Sequence, residues 1–260
     1  MKFISLASSS SGNCYYLESD ETKILIDAGI STRCIKNSLK KFDILIEDID
    51  AVCITHEHND HIKGIDVLSR AYNIPIYANV PTAQYIAKKN YIKKNDLIYN
   101  YQNSFSIKDL VIKSFDVHHD AVSPVGYFID NSKTKFSILT DTGCVTQEIY
   151  QVIKGSTAVL LESNHDIEML KKGPYPYYLK QRIQSNKGHL SNDIAGRTAV
   201  KLVRDGAKNI ILGHISAVNN DYQTVYNSIS YYLKINNISM GEDVLIDIAQ
   251  KNEPSNVHIF

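Results

Sequence analysis

The stretch THEHNDH, residues 55–61, puts five side chains able to bind a metal into seven positions: His56, Glu57, His58, Asp60 and His61. One residue separates His56 from His58, so in an extended segment both imidazoles project to one side. Asp60 and His61 then fall at a turn that opens a helix, near its positive end. At this spacing His56 and His58 can serve one metal ion, and Asp60 and His61 another. Imidazole together with carboxylate suits Zn, Fe, Mn or Ni. Thiolate does not enter, because Cys14, Cys34, Cys53 and Cys144 are scattered with no CxxC pair, a usage that fits a reducing compartment. A loop of solvated histidines is the plain alternative, and the position of the cluster straight after an apolar strand argues against it. Two neighbouring cations can hold water as hydroxide near neutral pH and clamp the oxygens of a reacting phosphate, so phosphoester hydrolysis is the chemistry such a cluster supports.

The elements that must position these groups are legible as short apolar runs rich in β-branched residues: KFISLAS, YYLES, KILIDAG, AVCITH, IPIYA, LVIKSFDVHH, GYFID, FSILTDTG, AVLLES and NIILGHIS. Continuous Ile/Leu/Val runs that end in a polar or ionisable residue read as strands buried on both faces, delivering polar side chains at their ends. Helical patterns lie between them near 31–41, 61–73, 81–89, 144–153, 191–205 and 221–236, the fifth opening at Ser191 as N-cap. No Gly/Ser/Pro-rich linker divides the 260 residues, so one α/β domain over 1–260 is expected, built of two sheets with outer helices. A loose two-fold rhythm runs through it: Asp27 and His56 end strands in the first half, and Asp141, Glu162 and His214 in the second. Lys+Arg and Asp+Glu both number 28, which excludes a globally basic nucleic-acid binder but not a local basic patch. MKFISLASSSSGNC ends in cysteine as a lipoprotein leader does, yet its apolar stretch is short and Asn13 is a poor residue before a lipidated cysteine. With no run near the ~20 apolar residues of a membrane helix, a cytoplasmic protein without membrane contact is expected.

HEHNDH matches the HxHxDH signature of the metallo-β-lactamase-fold hydrolases. SSSSGNCYYLES, ILIDAG, HDAVSPVGY, ILTDTG, LESNHDIEML, GPYPYYLKQRI, GHLSND and ILGHIS follow in the order seen in one branch, so nearly the whole chain resembles the YycJ/WalJ-type proteins. The resemblance implies a four-layer αββα sandwich with a two-metal site along the edge of the paired sheets. It also implies the remaining ligands. In DVHHDA the family histidine directly precedes Asp-Ala, which selects His119 and leaves His118 as a bystander, and strand parity agrees because Phe115, Val117 and His119 share a face. Asp141 matches the carboxylate that bridges both metals, and His214 the last ligand. One divalent ion (Zn, Mn or Fe) would then have His56, His58, His119 and Asp141, and the other Asp60, His61, Asp141 and His214. All seven lie at ends of expected strands or in adjoining loops.

No G-x-S-x-G elbow is present and no cysteine stands in a nucleophile motif, so a metal-held hydroxide is the expected nucleophile, with Asp60 both ligand and catalytic residue. A leaving 3′ or 5′ oxygen needs a proton. His189 in GHLS resembles a histidine that related phosphodiesterases place near the scissile phosphate, and Glu162 can orient it by hydrogen bonding; a helix cap or a phosphate contact is the other reading of His189. His165 in SNHD can touch substrate phosphate, support the ligands, or fill a buried loop. Asp27 reads as a carboxylate fixing a ligating imidazole, or as a turn aspartate before Gly29. Residues 171–188 carry Lys171, Lys172, Lys180, Arg182 and Lys187 without an acidic residue, interleaved with Tyr175, Tyr177 and Tyr178. Phosphate contact with base stacking needs such a mixture, so Lys180 and Arg182 are candidate nucleic-acid contacts; a solvated helix face is the alternative. The resemblance implies an exonuclease acting on DNA ends, 5′ to 3′. A small-molecule cyclic phosphodiesterase, or a signalling adaptor that keeps the fold without catalysis, are the competing readings.

Overall fold

The computed structural model describes residues 1–94 and 97–260. Strands β1 (Lys2–Ser9), β2 (Gly12–Glu18), β3 (Lys23–Ile26), β4 (Ala51–Cys53), β5 (Ile76–Asn79) and β6 (Ile98–Tyr101) belong to one sheet. A second sheet takes β7 (Ser104–Ile107), β8 (Leu110–Asp116), β9 (Val125–Asp130), β10 (Lys135–Leu139), β11 (Ala158–Glu162), β12 (Asn209–Gly213) and β13 (Leu245–Ile248). Strand β14 (His258–Ile259) returns to the first sheet and pairs with β1, giving the orders β14-β1-β2-β3-β4-β5-β6 and β13-β12-β11-β10-β9-β8-β7. Each sheet is antiparallel on one side and parallel on the other: β3, β4, β5 and β6 run parallel in the first, and β10, β11, β12 and β13 in the second.

Apolar packing lies in three slabs, which is the signature of four layers. Phe3, Tyr15, Ile26, Ile112, Tyr127, Ile138 and Leu160 fill the space between the sheets. Ile4, Leu25, Val52 and Ile76 face outward onto α1 (Thr32–Lys40), α3 (Ile65–Tyr72) and α4 (Val80–Lys88) through Ile35, Leu39, Leu68 and Ile86. On the far side Leu139, Val159, Leu161 and Leu212 meet α5 (Gln147–Ile153), α8 (Asn192–Arg204) and α9 (Tyr222–Ile235) through Ile153, Ala199, Leu202 and Ile229. This is the αββα sandwich expected from the resemblance. Strands buried on both faces, such as β11, are the continuous apolar runs of the sequence.

The ten expected strands are β1–β5 and β8–β12. The four without a clear sequence signal, β6, β7, β13 and β14, are the outermost strands of the two sheets, and each is mostly exposed or half-buried. The helix expected over 61–73 is two: α2 (Asn59–Ile62) and α3, broken at Gly64. The Gly64 N–H donates to Ala28 O, 2.7 Å, and a Cβ there would come 2.7 Å from Ile30 O, so this backbone docks on the chain leaving β3 instead of continuing a helix. Segment 171–188 holds the end of α6 (Ile167–Lys172) and all of α7 (Tyr177–Gln184).

Candidate metal centre

The C-terminal ends of β3, β4, β10, β11 and β12, all members of parallel pairs, open on one edge of the sandwich. Ligands gather at such strand ends because side chains and loops there are free of the sheet ladder. The chain turns sharply at three of these exits: Asp27, Asp141 and His214 have φ of 57°, 54° and 55°, left-handed conformations uncommon outside glycine. Close approach fixes a fourth point. A Cβ on Gly29 would fall 1.5 Å from Asp60 O, so only glycine lets the β3 exit pass beneath the HEHNDH loop.

The structure brings His56, His58, Asp60, His61, His119, Asp141 and His214 around one edge site. One ligating atom each from His56, His58 and His119 lie within 4.8 Å of one another, as do those of His56, His61 and Asp141. Rings of His56 and His61 stand 4.0 Å apart, and of His58 and His119 5.1 Å. Asp141 Oδ2 lies 3.4 Å from His61 Nε2 and 3.2 Å from His214 Nδ1, yet it makes no hydrogen bond; His56 Nε2 and His214 Nδ1 are likewise buried without partners. Buried polar atoms that converge without bonding each other call for a shared partner.

Meanwhile the opposite ring nitrogens are tied down. His61 Nδ1 donates to Asp27 Oδ2, 2.8 Å, and Asp27 also accepts from Thr55 N and Thr55 Oγ1 at 2.9 and 2.8 Å. His56 Nδ1 is 3.1 Å from Thr55 Oγ1, and His119 Nδ1 donates to Gly188 O, 3.3 Å. Fixing Nδ1 aims Nε2 at the centre. Asp27 thus both contacts the His61 ring and turns the chain out of β3. A donor set of imidazoles and carboxylates with aimed, unpartnered atoms fits a divalent metal.

The electrostatics agree. Burial, then neighbouring His61, holds the His56 imidazole well below its ordinary range, and burial lowers His119 as well, so both offer free lone pairs. Burial opposes but Asp27 and Asp141 overcome it to raise His61 well above its usual value, and Asp141 likewise lifts His214 to about 9 against burial. Asp141 itself is held far down by His214 and His61 despite burial. The carboxylates therefore demand positive charge here, which protons or a cation can supply.

Beside this cluster Glu162, fully buried, accepts from His189 Nδ1 at 2.8 Å and from the N–H groups of Thr142 and Leu190 at 3.1 Å each. Three donors satisfy the carboxylate, which fixes the His189 ring through Nδ1. The His189 ring lies 5.2 Å from those of His119 and His214. His165 is 2 % exposed with Nδ1 unpartnered, and burial lowers its pKa to about 4. His118 points to solvent while His119 is buried.

Arg182 is paired within the chain. Its guanidinium makes a bidentate pair with Asp120, 2.6 and 2.9 Å, binding α7 to the loop that carries His119. Lys171 pairs with Glu168, and Lys180 Nζ donates to Lys171 O at 2.7 Å, so Arg182 has a carboxylate partner where Lys180 has a carbonyl. Tyr177 and Tyr178 are 75 % and 72 % exposed.

Several residues at the site carried no role in the sequence reading. The amide of Asn13 sits 3.0 Å from His61 Nε2 and 3.4 Å from Asp60 Oδ2. Ser8 Oγ accepts from the His214 N–H, 2.8 Å, and Asn164 donates to His214 O, 2.8 Å. Asn13 and Ser8 both stand in SSSSGNC, a stretch whose residue types alone carry no metal-site signal. Glu57, inside the cluster, turns away and accepts from Val122 N at 2.8 Å, tethering the loop after His119.

Residues 22–215 match the family model described as a beta-lactamase superfamily domain. The chain is 37% identical over 259 residues to the exodeoxyribonuclease YycJ of Bacillus anthracis, covering 99% of this chain and 98% of that protein. It is 38% identical over 246 residues to the exodeoxyribonuclease WalJ of Streptococcus pneumoniae, covering 93% and 91%. Among solved structures, the metallo-beta-lactamase fold protein YhfI from Bacillus subtilis superposes with a TM-score of 0.71 at 16% identity, over 98% of both chains. With a sandwich of that fold, its strand-end histidines and aspartates, and near full-length identity to two such proteins, the chain belongs to the YycJ/WalJ family of the metallo-β-lactamase superfamily.

Proposed function

We propose that this single-domain protein is a two-metal phosphodiesterase that shortens DNA from the 5′ end, working in the cytoplasm. The observation that carries the reading is the convergence of His56, His58, His61, His119, Asp141 and His214 on one edge, with Asp60 Oδ2 3.5 Å from His61 Nε2 and a carboxylate-held His189 beside them. The relatives named exodeoxyribonuclease support DNA as substrate, and the four free cysteines suit a reducing compartment. His56, His58, His119 and Asp141 would hold one divalent ion, and Asp60, His61, Asp141 and His214 the other. When bound, such ions supply charge for the phosphate oxygens and activate water for attack on phosphorus.

The chain's own groups do the rest. Asp27, Thr55 and Gly188 O keep the imidazoles oriented. Glu162 holds His189 by Nδ1, so that Nε2 can pass a proton to the leaving oxygen. The water oxygen joins phosphorus, the P–O3′ bond breaks, and O3′ takes the His189 proton, leaving a 5′-phosphate on the shortened strand. Lys180 and the exposed Tyr177 and Tyr178 offer charge and ring faces to a strand approaching along α7.

The test pairs wild type with Asp141→Ala, both with metal content measured, on 5′- and 3′-end-labelled duplex DNA with Mn²⁺ or Zn²⁺. Stepwise shortening by wild type alone, with the 5′ label lost first, is expected. Intact DNA despite bound metal would reject the nuclease reading, and early loss of the 3′ label would reverse the direction.

A further inference from the structure

Next to His189 the surface dips into a cavity of about 190 Å³ whose walls include His165, Ile167, Gln184, Ser191 and Ile194. None of the seven proposed ligands lines it, whereas His189, which stands beside them, does. His165 is almost fully buried, and its Nδ1 has no hydrogen-bond partner. An unpartnered buried ring nitrogen carries a desolvation cost that a bound group can relieve. Ser191 accepts from Ile194 N as the cap of α8 and retains a hydroxyl proton to donate. Gln184 adds an amide with donor and acceptor.

The lining decides the class of ligand. No lysine or arginine is among these wall residues, and burial keeps His165 neutral at physiological pH, its pKa lowered to about 4. A phosphate would find no compensating cation. Two isoleucines with neutral groups of mixed donor and acceptor character suit a flat heterocycle, which needs apolar contact on its face and hydrogen bonds at its edge.

His189 then orients the assignment. If it protonates the leaving oxygen, the nucleoside attached to that oxygen must lie on the His189 side of the phosphate. We infer that this cavity is the subsite for the base of the leaving-side nucleoside, the one released when the strand is cut from its 5′ end, with the His165 ring hydrogen-bonding the base edge; the inference rests on the phosphodiesterase reading above. Gln184 also lines a second depression with Lys171, Tyr177 and Lys180, so the subsite opens toward the charged and aromatic face of α6 and α7.

Metal-loaded wild type is given oligonucleotides with a stable abasic residue either at the leaving-side nucleoside or at the nucleoside across the scissile phosphate. The leaving-side gap is expected to lower kcat/KM for the first cut by about ten-fold or more, the scale of one base–protein contact, and the other gap by much less. Equal slowing at both positions, or none, overturns the subsite. Ile194→Trp, which fills the cavity, should collapse the ratio of normal to leaving-side-abasic rates toward one. His165→Asn provides the same comparison if the tryptophan variant does not fold, as judged by metal content and Tm. An unchanged ratio in the folded variant also overturns the subsite. Wild type that cuts neither unmodified DNA nor a chromogenic diester removes the parent reading and the subsite with it, whereas normal cutting without base dependence removes the subsite alone.

Discussion

Asp27 concentrates three demands in one side chain. It leaves β3 with a left-handed backbone, takes the Thr55 N–H and hydroxyl, and holds His61 by Nδ1. Asparagine tolerates that backbone and fills the same space, so Asp27→Asn removes the charge without the strain an alanine would add. The neutral amide holds the imidazole less firmly. Metal affinity is expected to fall about 10–100-fold with Tm of the metal-loaded protein little altered, measured by titration against a chromophoric chelator. Affinity equal to wild type would mean that the carboxylate serves only the turn. At this scale His56, His58, Asp60 and His61 were readable because they form a polar cluster straight after an apolar run, while His119, Asp141 and His214 were legible as ligands through the family resemblance. Asn13 was not: its contact with His61 spans 48 positions, and nothing near Asn13 in sequence announces it. Ser8 and Asn164 escaped for the same reason, as they act on the backbone of His214 and not on a substrate.

Among the elements, the interior strands were legible and the edge strands were not, for one physical cause. A strand inside a sheet covered on both faces must be apolar throughout, whereas an edge strand meets water along its flank. IYNY and SFSI accordingly carry exposed polar positions that break the run, and in LIDI Leu245 is exposed and Asp247 half-buried. Helix α7 was obscured because only Ile183 on it is buried. Its position rests instead on local ties, the Arg182–Asp120 pair foremost. Arg182→Ala is therefore expected to raise hydrogen exchange selectively in α7 and the 185–188 loop, leaving β10–β12 unaffected. Because Gly188 O also receives His119 Nδ1, loosening that loop should weaken metal retention as well. Unaltered exchange in α7 would show that the pair is incidental, as many surface ion pairs are.

For the whole molecule, the edge site is a seam. His56, His58, Asp60 and His61 follow β4 of the first sheet, while His119, Asp141 and His214 come from the second. A metal bound across the seam adds to the apolar slab between the sheets. Ligand at a thousand times its Kd stabilises by about 4 kcal/mol, and each kcal/mol moves Tm by roughly 2–4 °C in chains of 150–250 residues. Chelation is thus expected to lower Tm on the order of 10 °C, reversed by adding metal back; scanning calorimetry before and after EDTA dialysis checks it. No change would mean that the apolar slab alone sets the stability of the paired sheets.

The split of ligands between the sheets also bears on safety. Hydrolysing nucleic acid is hazardous in a cell that is still making the enzyme. Residues up to His61 precede the whole second sheet in the chain, whereas Asp141 and His214 are delivered by strands of that sheet, and β12, which His214 follows, is paired on both sides by β11 and β13. A chain whose sheets have not docked therefore lacks the assembled cluster, and on the proposed function cutting competence would report that both halves have come together.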